Sequence, residues 1–261
     1  MISPDLRTGP FEVTIASDRE SAAGRFTPRA GSDPEVALGA ELLPGATDWT
    51  PRRALARAVS VLREEGARAA WFKVVGEIGY RRLRILERDT AAPLPDVPVV
   101  EGADLLEDAA ELAGFRPSYT LERIERRLAR GELCFVARHR GRIVSVTWAA
   151  PGRAAIPYLG CVWRGASDED VFLSETLTLP AFRRRGFAFA IARAQIEYYR
   201  VGRVRRLVSG VLPENRASLR ARAKVGYRPC GWAISVGFGS RRVPILRLRG
   251  PDRGWALERL G

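Results

Sequence analysis

Lysine is almost missing from this chain: of 43 basic side chains, only Lys73 and Lys224 are not arginine. Histidine occurs once, at His139, and cysteine three times, at Cys134, Cys161 and Cys230. None of these has metal-ligand spacing, so no metal centre is expected, and an odd number of scattered cysteines points to free, reduced thiols rather than a disulfide framework. His139 stands between arginines at a turn, without a carboxylate or cysteine beside it, and reads as a solvated turn residue. No apolar run is long enough to span a bilayer and the first twenty residues hold none of signal-peptide length, so a cytoplasmic protein without membrane contact is expected.

What is present in excess is positive charge, +13 in 261 residues. Such a balance suits either nucleic acid or a multiply charged small anion. No aromatic-interleaved basic stripe or helix-turn-helix pattern accompanies it, which speaks against nucleic acid. The arginine skew also fits the codon composition of a GC-rich genome. With 46% hydrophobic residues the chain can fill the core of one full domain and a smaller one.

Residues 1–95 read as an N-terminal accessory α/β segment. Phe11 to Ala16 is strand-like, Arg52 to Glu65 carries a helical stripe at Leu55, Val59 and Leu62, and Ala70 to Val75 and Arg81 to Glu87 are strand candidates. Ala91 to Asp96 is a Pro-rich linker. A faint echo links Val75 to Arg82 with Val236 to Arg242, which fits a degenerate internal copy or the shared composition of two strands with a Gly-Arg turn.

The most informative stretch is Thr178-Leu179-Pro180-Ala181-Phe182-Arg183-Arg184-Arg185-Gly186-Phe187-Ala188. It joins a strand-like run, Val171 to Thr178, to a helix-forming run, Phe187 to Arg200; Pro180 stops the strand and Gly186 opens the helix. Unpaired amides at the positive end of a helix dipole, backed by Arg183, Arg184 and Arg185, suit a diphosphate. Downstream, Arg205 to Val211 is a strand candidate, followed by a helix with Asn215 as N-cap and Gly226 past its end.

In this order of parts, over about residues 97–250, the sequence resembles the GNAT superfamily of N-acetyltransferases. The resemblance implies a mixed α/β fold: a mostly antiparallel sheet with splayed central strands, flanked by helices, beside the smaller N-terminal segment. The active domain would occupy 96–250, with 251–261 as a C-terminal tail. Val97 to Val100 would be the first strand, Ala103 to Ala113 and Leu121 to Arg130 the first helical region, and Leu133 to Arg138 with Arg142 to Ala149 a hairpin. Trp148, Trp163, Tyr158 and Phe172 read as core more than ligand contacts.

The resemblance further implies acetyl-CoA as acyl donor and an amine as acceptor. Pantetheine would run beside the backbone of Leu177, Thr178 and Leu179, and the phosphates at Arg183 to Ala188. Asn215 matches the family's asparagine near the pantetheine arm, although a helix cap is an equally good reading of that residue. Arg222 departs from the pattern: it stands where many members carry a tyrosine that protonates the leaving thiolate, and a guanidinium releases protons poorly. Ser218, one turn earlier, or water would then serve. Glu175, an acid in an otherwise uncharged strand segment, is the candidate general base, its alternative being a solvent-facing strand residue; Asp168, Glu169 and Asp170 read as a solvated loop. The alternative from another class is a catalytically silent CoA-binding or nucleic-acid-binding scaffold or regulator. The oligomeric state is open, a homodimer included.

Overall fold

The computed structural model describes residues 79–94, 102–237, 241–250 and 252–259. The expected elements at Phe11 to Ala16, Arg52 to Glu65, Ala70 to Val75 and Val97 to Val100 lie outside the described residues. Strand β1 (Tyr80–Asp89) is followed by β2 (Ala103–Leu105), helices α1 (Ala109–Leu112) and α2 (Leu121–Ala129), and strands β3 (Leu133–His139), β4 (Arg142–Pro151), β5 (Arg153–Ile156), β6 (Cys161–Arg164) and β7 (Asp170–Thr178). Helix α3 (Phe187–Arg200), strand β8 (Arg206–Val211), helix α4 (Arg216–Lys224) and strands β9 (Arg228–Val236), β10 (Val243–Leu248) and β11 (Ala256–Arg259) complete the series.

Eight strands form one sheet in the order β10-β9-β1-β8-β7-β4-β3-β2, and among the described residues only β7 and β8 pair in parallel. The expected mixed, mostly antiparallel α/β fold is thus the one found. The β3–β4 hairpin turns through Arg140 and Gly141, both at positive φ, as a two-residue turn matched to the strand twist requires. Alternation along β3 sorts the helices: Phe135 and Ala137 pack against Phe187, Ile191 and Ile196 of α3, whereas Cys134 and Val136 pack with Leu112 of α1 and Ile124 of α2. Neighbouring strand residues point to opposite faces, so α2 and α3 cover opposite faces of the sheet. Leu219 of α4, with Val225 and Tyr227 after it, joins the α3 side. Trp148, Trp163 and Phe172 are core residues, as expected, and all three cysteines are buried and free.

Several expectations are corrected. Ala103 to Ala113 is not one helix: Ala103, Asp104 and Leu105 pair with Ala137, Val136 and Phe135, and Asp108 then caps the short α1 by accepting from the Ala110 amide at 2.8 Å. A boundary near residue 95 does not coincide with an edge of the sheet, because β1 lies between β8 and β9 and pairs with both. The described part of the linker is held down, the Ala92 carbonyl accepting from Arg88 and Arg200 at 3.0 and 2.7 Å. Residues 251–261 are not merely a tail, since β11 pairs with β6 in a second sheet, β11-β6-β5, over a core containing Trp163 and Trp255. Asp170 is fully buried rather than solvated, because it accepts from Arg206, from the Trp255 indole and from the Ala166 amide. Its burial anchors the first residue of β7, the strand on which the site is built.

Candidate active site

Pairing between β7 and β8 runs from Asp170 and Arg206 to Leu173 and Ser209 and stops there. β7 continues to Thr178 and β8 to Val211. From Ser174 onward the two strands therefore part, leaving a cleft edged by backbone groups that have no ladder partner across it. Beyond β7 the chain makes a tight turn at Pro180–Phe182, passes through left-handed Arg184 and Gly186, and enters α3. Glycine takes the conformation of Gly186, φ 89°, without steric cost.

No backbone acceptor among the described residues takes the amide hydrogens of Arg184, Arg185, Gly186, Phe187 or Ala188, whereas Phe189 and Ala190 donate to the Gly186 carbonyl at 2.8 and 3.0 Å. Gly186 offers no capping side chain. Arg183, Arg184 and Arg185 are all exposed; Arg183 donates to the Thr178 carbonyl at 3.3 Å, and the Arg185 guanidinium lies 5.5 Å from the Phe182 ring centre. Open amides, the positive end of a helix and three exposed cations fit a diphosphate or another dense anion. His139 is not a solvated turn residue. It ends β3 half-buried, its ring 5.4 Å from Phe182 and 5.9 Å from Phe187, because the hairpin end abuts this turn.

The three residues expected along the cleft divide. The Leu179 amide donates to the Val144 carbonyl at 2.9 Å and is not open to a ligand. Successive residues of a strand send their backbone groups to opposite sides, so Thr178 faces away from β4, where its carbonyl meets Arg183. The Leu177 carbonyl accepts from the Ser145 hydroxyl at 2.9 Å. Asn215 is the N-cap of α4, its side-chain oxygen accepting from the Ser218 amide at 3.0 Å; among the described residues its NH2 group has no hydrogen-bond partner on either strand of the cleft.

At the centre of the cleft edge β7 carries a bulge. Trp148 pairs with Ser174 and Val146 with Leu177, so Thr147 stands opposite both Glu175 and Thr176. Glu175 is left-handed, φ 49°. Its surroundings are not the uncharged ones the sequence suggested. Oε1 accepts from Arg123 at 3.1 Å and from Arg127 at 2.9 Å, and Oε2 accepts from the Tyr119 hydroxyl at 3.0 Å. A carboxylate has about four lone-pair sites, so Oε2 keeps one acceptor site, and the side chain is 28% exposed. Arg127 is buried; it also pairs with Glu132, donates to the Ser174 hydroxyl at 3.3 Å, and stacks 4.0 Å from the centre of the Trp148 ring. Burial alone would lower the Arg127 pKa, but Glu132 and Glu175 outweigh it and raise it. Burial, helped by Glu175, pushes the Tyr119 phenol up, so it stays a neutral donor.

On the other side, Thr176 is exposed to the cleft, and its Oγ1 accepts from Arg222 of α4 at 2.8 Å and from the Thr147 hydroxyl at 3.1 Å. Arg222 is only 7% exposed and lies over the Tyr227 ring, 5.0 Å from its centre. Sequence reasoning missed Thr176, Tyr119, Arg123 and Arg127. Only Arg127 left a signal: it lies three residues after Ile124, on the apolar stripe of an otherwise charged helix.

Residues 93–228 match the family model described as the acetyltransferase (GNAT) domain, which is more than half of the chain. No curated protein matches the sequence. Among solved structures, a putative GNAT-family acetyltransferase from Novosphingobium aromaticivorans is 17% identical, with 60% of this chain and 65% of that one covered and a TM-score of 0.42. The chain thus spans just under two thirds of that protein's length. AAC(6')-Iy, in complex with a bisubstrate analog of CoA and acetylneamine, is 21% identical over 48% of this chain and 90% of its own, with a TM-score of 0.37. Ribosomal-protein-alanine N-acetyltransferase from Brucella melitensis is 21% identical over 48% and 72%, with a TM-score of 0.35.

Proposed function

Because the chain belongs to the GNAT acetyltransferase family, we propose that it is an N-acyltransferase that moves the acetyl group of acetyl-CoA to the primary amine of an acceptor. The observation that carries this reading is the parting of β7 and β8 beside a helix start with five open amides and three exposed arginines. Diphosphate recognition falls to Arg183 to Ala188, and the outward backbone of Thr178 lines the path from there into the cleft. Asn215 and Ser218 stand at the start of α4 on the opposite strand's side, where the Asn215 NH2 group would meet the pantetheine arm.

Glu175 is the acceptor-side residue of the proposal. With Oε1 held by two guanidiniums and one lone pair of Oε2 taken by Tyr119, its remaining lone pair is the one to receive the proton of an incoming amine, directly or through water. The left-handed backbone that holds it costs about 1–2 kcal/mol, a strain of the sort that functional sites retain.

Calorimetry with acetyl-CoA and CoA tests the donor. Binding is expected, and Gly186→Glu weakens it at least about fivefold, because a carboxylate some 4 Å from one phosphate charge costs roughly 1–4 kcal/mol. Incubation with acetyl-CoA and a panel of amino sugars, amino acids, polyamines and peptide N-termini then reads acceptor-dependent thiol release. Failure to bind any acyl-CoA overturns the assignment; binding without thiol release for any amine replaces catalysis with a CoA-binding regulatory or scaffold role.

A further inference from the structure

Thr176 and Arg222 form a unit that the reading above leaves unused. A hydroxyl has one proton to donate and two lone pairs to accept with. Both lone pairs of Thr176 are engaged, one by the Arg222 guanidinium at 2.8 Å and one by Thr147 at 3.1 Å. Thr147 is 1% exposed and fixed in place within β4. The Thr176 O–H therefore points away from both donors, into the cleft to which this residue is exposed.

Arg222 contributes a second constraint. It is buried, and among the described residues its contacts are the Thr176 hydroxyl and the ring and phenol of Tyr227, both neutral, with no carboxylate paired to it. A buried cation without a counterion is costly, so the site is short of one negative charge. The reaction proposed above creates such a charge when the thioester breaks. The exposed Arg183, Arg184 and Arg185 are hydrated by water and differ from Arg222 in this respect.

We infer that Thr176 is a catalytic residue which donates its hydroxyl hydrogen bond to the sulfur of the acyl donor, and that Arg222 is the positioning residue which orients and polarises that hydroxyl; the inference rests on the acyl-CoA reading. The amine nitrogen forms its bond to the acetyl carbon, the carbon–sulfur bond breaks with its electron pair on sulfur, and the proton lost by nitrogen goes to Glu175 or water. Thr176 stabilises the anion on sulfur without giving up its proton, and water supplies the proton that completes the thiol. Arg222 keeps its proton throughout, which suits electrostatic stabilisation and not acid catalysis. The charged or titratable groups around Thr176 are Arg222, the buried Tyr227 beneath it, and Glu175, whose carboxylate is turned to the α2 side and held there by Arg123 and Arg127.

The test is a titration of the CoA thiol bound to the parent protein, followed by its ultraviolet thiolate absorbance, together with steady-state rates of Thr176→Val, Thr176→Ser and Arg222→Gln. Bound to the parent, the thiol ionises at least about one pH unit below its value in solution, a tenfold preference for the thiolate. Thr176→Val and Arg222→Gln abolish most of that preference and lower kcat about 10- to 100-fold with the KM for acetyl-CoA nearly constant, as a lost hydrogen bond to a charged atom requires. Thr176→Ser keeps the donor and restores both. A bound thiol that ionises as in solution, or a Thr176→Val protein with the parent's kcat, overturns the inference while leaving the acyl-CoA assignment standing. A parent protein that binds no acyl-CoA overturns both.

Discussion

Asp170→Asn perturbs the fold at the root of the site while changing almost no volume. The carboxylate is fully buried and receives four hydrogen bonds: Arg206 Nε to Oδ1 at 2.6 Å, Arg206 Nη2 to Oδ2 at 3.2 Å, the Trp255 indole to Oδ2 at 2.7 Å, and the Ala166 amide to Oδ2 at 3.1 Å. Asparagine replaces one oxygen by an NH2 group. Placed at Oδ1 it faces the Arg206 Nε–H; placed at Oδ2 it faces three donors, so the first orientation wins. What is then lost is a charge-assisted bond, about 1.5–3 kcal/mol, and the neutralisation of Arg206. Severing a buried pair costs about 3–5 kcal/mol, but the Arg206 side chain is 28% exposed and recovers some hydration. The expected loss is therefore about 2–4 kcal/mol, a large share of the 5–15 kcal/mol typical of a folded domain. Urea denaturation of the parent and variant reads it as a shift in midpoint at constant slope. Asp168→Asn, at an exposed position two residues earlier, is the control and should stay within about 0.5 kcal/mol. A loss below about 1 kcal/mol for Asp170→Asn would refute the claim that this carboxylate anchors β7.

Two further outcomes are expected. Glu175→Gln should lower the rate at saturating acetyl-CoA by about 10²-fold with cofactor affinity nearly unchanged, and its deficit should shrink at alkaline pH as free amine becomes abundant; an unchanged pH–rate profile would assign Glu175 to the ion-pair network alone. Burial pushes the Cys161 thiol from its ordinary 9.0 up to about 12. The folded state thus holds that proton where the unfolded chain has lost it, so stability is intact below pH 9 and falls as pH rises toward 12, by up to about 1.4 kcal/mol per pH unit. Cys161→Ala should show a flatter stability curve by that slope between about pH 10 and 11, measured by urea denaturation at each pH.

What could be read from the sequence was what is decided locally. Phe187–Arg200 is helical between the residues expected, since its start depends on Gly186 and its length on an unbroken run of helix formers. Asn215 as a cap and Arg142 as the return of a hairpin are decisions taken within four residues. The strand at Tyr80–Asp89 was equally legible as a strand, but not as a member of the main sheet, because its partners, Arg206–Val211 and Arg228–Val236, are more than a hundred residues away and a period of two says nothing about where a strand pairs.

The site failed to show itself for a sharper reason. Leu173 packs on the α3 side and Ser174 meets Arg127 on the α2 side, so unbroken alternation would send Glu175 back to the α3 side and Thr176 to α2. The left-handed Glu175 reverses both: its carboxylate joins Ser174 against Arg127, and Thr176 turns to Arg222. One bulged residue thereby gives a hydrogen-bond acceptor to one side of the cleft and a donor to the other, at neighbouring positions of a single strand. No propensity of Ser-Glu-Thr encodes that exchange. It is imposed by Thr147, the one residue on β4 that must face two on β7, and by arginines that the chain supplies from 46 to 52 residues away.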